Sequence, residues 1–202
     1  MRKAGIIVLL VLLTGMPVLI TAQDNNPSVE TDWDDYQYEL YAPGDQTFII
    51  SLGVVFPIAF LGDPSADISK ISPRIGGTGS LNLNYYLTSS IFVGAEIAGM
   101  FLPTIDRETL FIIPLGIKVG TQFIFDRFEF PISGTIGISW RNYLDNSYFG
   151  MYMKAGGSAY FRTTTYWGFG LSSNLYWFPE WTKERSIQGL FLDLTLSARY
   201  HF

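Results

Sequence analysis

Side chains that could carry out acid–base or nucleophilic chemistry are few in this sequence. The chain has no cysteine and a single histidine, His201. Hydroxyl nucleophiles generally need a base that activates them, and His201, close to Arg199, is expected at a solvated or interfacial position. No motif indicates a Ser–Lys pair. The sequence therefore predicts a protein that is not an enzyme.

The acidic residues make a weak case for metal binding. The run 32–35 (Asp-Trp-Asp-Asp) resembles the start of a calcium loop, but Tyr36 and Gln37 occupy positions where an EF-hand carries Asp or Asn and Gly. Asp63 and Asp67 are interpreted as solvated loop carboxylates. We predict no metal and no cofactor. The net charge of −5 and the absence of a basic patch exclude nucleic acid as a partner.

Most of the other polar residues lie in segments that are predicted to be strands. From residue 46 onward, eight segments alternate apolar and polar side chains with a period of two, which is typical of strands with one apolar and one polar face. Short connections at 88–90, 126–127 and 163–165 alternate with longer ones at 57–74, 102–108, 142–149 and 178–188. All eight charged residues within the segments share the face opposite the apolar side chains: Glu96, Lys118, Glu129, Arg141, Lys154, Arg162, Asp193 and Arg199.

Side-chain volume decides which face points outward. A soluble barrel or sandwich would also alternate, but an eight-stranded barrel has an interior only just wide enough for side chains. The face rich in Phe, Ile, Leu and Trp would overfill that interior, so it must face lipid. Apolar residues make up 48% of the chain and charged residues only 15%. We therefore predict an all-β, eight-stranded antiparallel up-and-down transmembrane barrel over residues 46–202.

Two segments precede the predicted barrel. The first has the layout of a signal peptide and is predicted at 1–22. It begins with the basic residues Arg2 and Lys3, continues with an apolar run over 6–20 and ends at the small residue Ala22. Residues 23–45 contain seven acids and no base. This acidic segment is interpreted as a periplasmic tail, with insertion of its acids against basic lumenal residues as the alternative.

The inward face is predicted to form a polar floor below an apolar funnel. Asn82 and the eight charged residues form the predicted polar and charged set of the lumen. Glu96 and Lys118 are expected to form an ion pair, with Lys118 about four residues beyond the cross-strand neighbour of Glu96. Pro114 and Pro131 predict local irregularities, since proline lacks a ladder donor. The alternative to an open funnel is that its residues pack the neck of the barrel shut, as inward residues of small barrels commonly do. The funnel residues are Val55, Met100, Leu110, Ile112, Tyr152, Tyr176, Phe178 and Phe191.

The last segment, 190–202, has an outward apolar set that ends in Tyr200 and Phe202. It resembles the C-terminal signal that the barrel assembly machinery recognises, and residues 46–202 resemble the small outer-membrane barrels of the OmpW, OmpX and OmpA-domain class. This resemblance implies a location in the outer membrane of a Gram-negative-type envelope. It also implies outer-membrane lipid, the assembly machinery and periplasmic chaperones as partners.

Two functions follow from this resemblance and from the lumenal residues. The first is a narrow channel or binder for small molecules, hydrophobic solutes among them. The alternative is a non-conducting structural or surface-interaction barrel, similar to an adhesin. Because one fold hosts many functions, the choice depends on the interior.

Overall fold

The computed structural model describes residues 41–62, 73–104, 109–143, 146–181 and 186–202. The predicted signal peptide and most of the acidic segment lie outside the described residues. The described residues form eight strands, which are β1 (Gln46–Gly62), β2 (Gly76–Tyr86), β3 (Ile91–Pro103), β4 (Thr109–Phe125), β5 (Phe128–Tyr143), β6 (Asn146–Arg162), β7 (Trp167–Trp181) and β8 (Ser186–His201).

The strands close into a single barrel in sequence order. Each strand pairs antiparallel with its chain neighbours, and β1 pairs with β8 from Thr47 opposite His201 to Gly62 opposite Ile187. Closure leaves no free strand edge, so all ladder hydrogen bonds can be made within the wall. The predicted eight-stranded up-and-down barrel is confirmed.

The outer surface of the wall is apolar around its whole circumference. Leu52, Ile117 and Leu196 are each about two-thirds exposed (67%, 68% and 70%), and similar side chains project from all eight strands. Exposed apolar surface on this scale is unfavourable in water and is matched by the hydrocarbon of a bilayer. The described part of the chain contains no helix long and apolar enough to cross a membrane.

Most strands extend further than the alternation predicts, and all of this extension is at the end opposite the short turns. β1, β4 and β6 have 17 residues each, compared with about 9–11 needed to cross a bilayer. The connections predicted at 142–149 and 178–188 shorten accordingly to 144–145 and 182–185. The alternation does not reveal these extensions because beyond the lipid zone the outward side chains need not be apolar. We call this end the long-loop end and the other the short-turn end.

The two strand prolines interrupt pairing without shifting its register. Beside Pro114 the β3–β4 ladder lacks two residue pairs, yet Ile97–Leu115 and Met100–Ile112 keep the same register. A similar gap lies beside Pro131 in the β5–β6 ladder. The expected irregularities are therefore gaps, not bulges, since proline removes a donor but adds no residue. One register shift does occur, between Pro57 and Ala59 against β8.

Candidate functional site in the barrel interior

The first group of interior charges, the Glu96 cluster, consists of Glu96, Lys118, Lys154 and Asn82. Lys154 Nζ donates to both carboxylate oxygens of Glu96, at 2.5 and 2.6 Å. Lys118 Nζ donates to Asn82 Oδ1 at 2.7 Å and lies 3.6 Å from Glu96 Oε2. All four side chains are buried. One carboxylate thus serves two ammonium groups in the middle of the barrel.

Lys154, not Lys118, is the principal partner of Glu96. Glu96 pairs across the wall with Gly116, so Lys118 lies two residues from that neighbour instead of the expected four. The longer offset was wrong because β3 continues to Pro103, which pairs with Thr109, and this register sets Gly116 opposite Glu96. Lys154 projects from β6, which is three strands away from β3 along the wall. Such a contact across the lumen follows from closure of the barrel and has no signal in the sequence.

Asp193 on β8 extends the polar layer next to the Glu96 cluster. Its Oδ1 accepts hydrogen bonds from the backbone N and the side-chain Nδ2 of Asn174, at 2.9 and 2.8 Å. Its Oδ2 accepts a bond from the Tyr176 hydroxyl at 2.9 Å, and that hydroxyl also lies 3.5 Å from Lys154 Nζ. Tyr176 therefore connects Asp193 to the cluster.

A second group, the Glu129 cluster, lies at the short-turn end and consists of Glu129, Arg162, Arg199, Gln122 and Tyr41. Arg162 Nη2 is 2.6 Å from Glu129 Oε1, and Arg199 Nη1 is 2.6 Å from Glu129 Oε2. The hydroxyl of Tyr41 and Nε2 of Gln122 also donate to Oε2, at 2.9 and 3.3 Å. Charge-assisted bonds of this kind are stronger than neutral ones. The cluster ties together β4, β5, β6, β8 and the segment before β1.

Tyr41 closes the short-turn end of the barrel. Its ring stacks on Tyr86 with 3.9 Å between centroids and 13° between planes, and it is only 5% exposed. The guanidinium of Arg162 lies 5.1 Å from the centre of the same ring. The end of the predicted tail is therefore inserted into the lumen through an aromatic residue, whereas residues 23–40 lie outside the described residues.

His201 is also inside the barrel, in contrast to its expected solvated position. Its imidazole Nδ1 is 2.9 Å from the Tyr41 hydroxyl, and the residue is only 8% exposed. The strand phase turns position 201 inward, and Tyr41 covers it. The inward phase of Gln122 and His201 was visible in the sequence, but their partnership through Tyr41 was not.

The predicted apolar funnel is a filled layer. Its residues, together with Leu102, pack into one buried cluster with Phe60 at its edge, which we call the apolar plug. Tyr152 and Phe178 have ring centroids 5.8 Å apart, and Phe178 and Phe191 meet edge to face at 5.5 Å. These rings project into the narrow lumen from the neighbouring strands β6, β7 and β8. The plug consists of Val55, Met100, Leu102, Leu110, Ile112, Tyr152, Tyr176, Phe178 and Phe191.

Glycine in the wall makes room for the plug. A Cβ atom at Gly116 would lie 2.5 Å from the Tyr152 hydroxyl and 2.8 Å from the carbonyl oxygen of Ile136, so glycine lets this tyrosine reach from β6 over β5 to β4. Inward glycine here accommodates an aromatic ring instead of opening a passage. Arg141 caps the plug at the long-loop end, where its guanidinium donates to the carbonyl of Pro179 at 3.1 Å and lies 5.5 Å from the Phe178 ring centre.

The two residues of the predicted assembly signal lie at the short-turn end. Phe202 is 67% exposed, and its ring meets Tyr200 edge to face at 5.0 Å. Tyr200 in turn contacts Trp167, also at 5.0 Å. These aromatic residues form part of the rim, and their role in assembly stays a prediction.

Comparisons of the sequence find a family model and two similar proteins. A protein-family model matches residues 23–200. Two uncharacterized proteins of Treponema pallidum (strain Nichols) are similar in sequence. One is 26% identical over 100 residues, which is 44% of this chain and 34% of that protein. The other is 23% identical over 142 residues, which is 66% of this chain and 65% of that protein. The matched regions thus span about one third and just under two thirds of these relatives.

Solved structures show the same fold at low sequence identity. Neisserial surface protein A superposes with a TM-score of 0.62 at 6% identity, covering 79% of this chain and 97% of that protein. The outer membrane protein OprG from Pseudomonas aeruginosa superposes with a TM-score of 0.53 at 8% identity, covering 80% and 97%. The chain belongs to the family whose model spans residues 23–200, and its fold is that of the small eight-stranded outer-membrane β-barrels.

Proposed function

We propose that this protein is a non-conducting, non-catalytic barrel of the outer membrane that holds the connections of its long-loop end above the bilayer as an interaction surface. The observation that carries the proposal is the filled interior. This is the alternative function that the sequence left open. Export by the signal peptide and insertion with the short-turn end toward the periplasm belong to the same proposal.

Three layers fill the lumen along its length. The apolar plug lies at the long-loop end, the Glu96 cluster in the middle and the Glu129 cluster with Tyr41 at the short-turn end. Between the two clusters the interior leaves a polar cavity of about 30 Å³, which is space for about two or three water molecules. In these layers the aromatic rings pack against one another and each acidic side chain is bound by donors. A lumen filled in this way favours a closed barrel over a route for solutes.

Electrical measurements test the closed lumen. We expect the refolded protein to give no discrete conductance steps in planar bilayers, because an ion would have to displace both charge clusters and the plug. Vesicles containing it should not swell in sugar solutions. A general porin reconstituted in the same vesicles is the positive control. Stepwise single-channel currents, scaling with the amount of protein, would favour the channel instead.

The strand lengths support the second half of the proposal. Strands of 15–17 residues on most of the wall exceed the bilayer span and lift the rim at the long-loop end. Connections placed on a rigid scaffold are suited to binding. In this arrangement the membrane-spanning wall anchors the protein, and the residues at the rim of the long-loop end bind the partner.

Cysteine labelling tests the orientation, since the natural chain contains no cysteine. Ser147→Cys places a thiol at an exposed position of the long-loop end, and Asp126→Cys places one in a short turn. We expect a membrane-impermeant maleimide to label the first variant on intact cells and the second only after the outer membrane is permeabilised. If only Asp126→Cys were labelled on intact cells, the barrel would have the opposite orientation in the membrane.

A further inference from the structure

The small cavity between the two charge clusters has an unusually polar lining. Its wall is formed mainly by hydroxyl and amide side chains, and three cationic side chains reach it. Acidic side chains are not among its lining residues. The polar lining consists of Ser51, Ser80, Asn82, Asn84, Ser133, Ser158, Ser172 and Asn174, and the cations are Lys118, Lys154 and Arg199.

Two of these cations keep hydrogen-bond capacity that the described residues do not use. An ammonium group has three donors, and Lys118 Nζ makes one short bond, to Asn82, with its contact to Glu96 at 3.6 Å. Arg199 is 1% exposed, and its Nε has no hydrogen-bond partner among the described residues. Buried donors without acceptors are costly. The cavity is the space into which an acceptor would fit.

The balance of formal charge points to the sign of that acceptor. Arg141 is separated from the cavity by the apolar plug, so it does not enter this balance. Four bases against three acids leave one positive charge in excess in a weakly solvated interior, where an uncompensated charge is expensive. Among the described residues these are Lys118, Lys154, Arg162 and Arg199, against Glu96, Glu129 and Asp193.

Cavity volume limits the size of the ligand. One water requires about 10–15 Å³ of this volume, so 30 Å³ admits a single-atom ion with one or two waters. Sulfate or phosphate is too large and carries more negative charge than the excess to be balanced. A water molecule beside the ion would also supply a donor for Asn84 Oδ1, which is buried and has no partner in the described part of the chain.

We propose that this cavity binds one halide-sized anion, with the Lys118 ammonium as its main ligand and the Arg199 guanidinium below it. The anion neutralises the positive excess between the Glu96 and Glu129 clusters. It is a structural ion sealed within the barrel, acquired during folding. The site is independent of whether the rim binds a partner.

Bromide provides a direct test. In crystals of the full barrel refolded in bromide, we expect an anomalous scattering peak within hydrogen-bond distance of Lys118 Nζ. Waters alone in the cavity, with no bromine signal, would overturn the proposal. This measurement uses the natural sequence, so it does not depend on whether a variant folds.

Unfolding kinetics give a second test. Protein refolded in sodium chloride should unfold about tenfold more slowly on heating than protein refolded in sodium gluconate of equal concentration, if chloride is present at about ten times its dissociation constant. Lys118→Met should lose this difference. Arg141→Met removes a lumenal charge beyond the plug and should keep it. Equal rates in both salts for the natural protein, or an unchanged chloride effect in Lys118→Met, would contradict the site.

Discussion

Replacing Glu96 with Gln should lower the free energy of unfolding by about 3–5 kcal/mol, because breaking a buried ion pair leaves uncompensated charge. Both Lys154 and Lys118 lose their carboxylate in this variant. Lys154→Met should have a comparable effect, while Lys118→Met should cost less since Glu96 keeps its two short bonds. The measurement is urea unfolding of the protein refolded in lipid vesicles, followed by tryptophan fluorescence.

The double variant Glu96→Gln/Lys154→Met tests whether the two residues act as a pair. It should recover a large part of the summed loss, because the Lys154 ammonium is then absent together with its carboxylate and only Lys118 has lost a partner. Asp126→Asn is the matched control, since it makes the same acid-to-amide change in an exposed turn at a positive φ that Asn tolerates. Additive single effects would show that the charges are solvated separately and that the middle of the lumen is wet.

Glu129→Gln should also destabilise the barrel by about 3–5 kcal/mol, since two buried guanidinium groups share this carboxylate. The variant should also hold Tyr41 less firmly at the short-turn end, because the Tyr41 hydroxyl and Arg199 donate to the same carboxylate oxygen of Glu129. The same urea titration measures the change in unfolding free energy.

Tyr41→Phe separates the hydroxyl from the ring in that cluster. It keeps the stack on Tyr86 and removes the hydroxyl contacts to Glu129 and His201, so it should cost only about 1 kcal/mol. Tyr41→Ala removes the ring as well and should cost more. If Tyr41→Ala proved as stable as the natural protein, the segment before β1 would not close the barrel.

The wall of this barrel could be predicted because its information is local. The period-two pattern of β3, for example, assigns Glu96 to one face and Ile97 to the other, and tight turns such as 126–127 fix which strands are neighbours. Cross-strand pairs such as Asn82 with Glu96 follow from the turn alone. The strand ends at the long-loop end could not be predicted, since pairing there continues after the outward residues cease to be apolar.

The interior contacts depend on distances that no local pattern contains. Glu96 and Lys154 are 58 positions apart, and Tyr41 and His201 are 160 apart. The first pair meets across the lumen and the second at the short-turn end. Their geometry depends on how the closed wall is staggered and on which side chains reach its axis. The same dependence explains why the inward residues were consistent both with an apolar funnel and with a packed plug.

The number of strands, their order and the side of the wall that each residue occupies can therefore be read from the sequence, because alternation and turn chemistry act over a few residues. The folded barrel was needed to show that Lys154 pairs with Glu96, that Glu129 binds two arginines and Tyr41, and that aromatic rings close the long-loop end. These contacts form because closure brings side chains of non-neighbouring strands within a few ångströms, where charge and volume must be satisfied together.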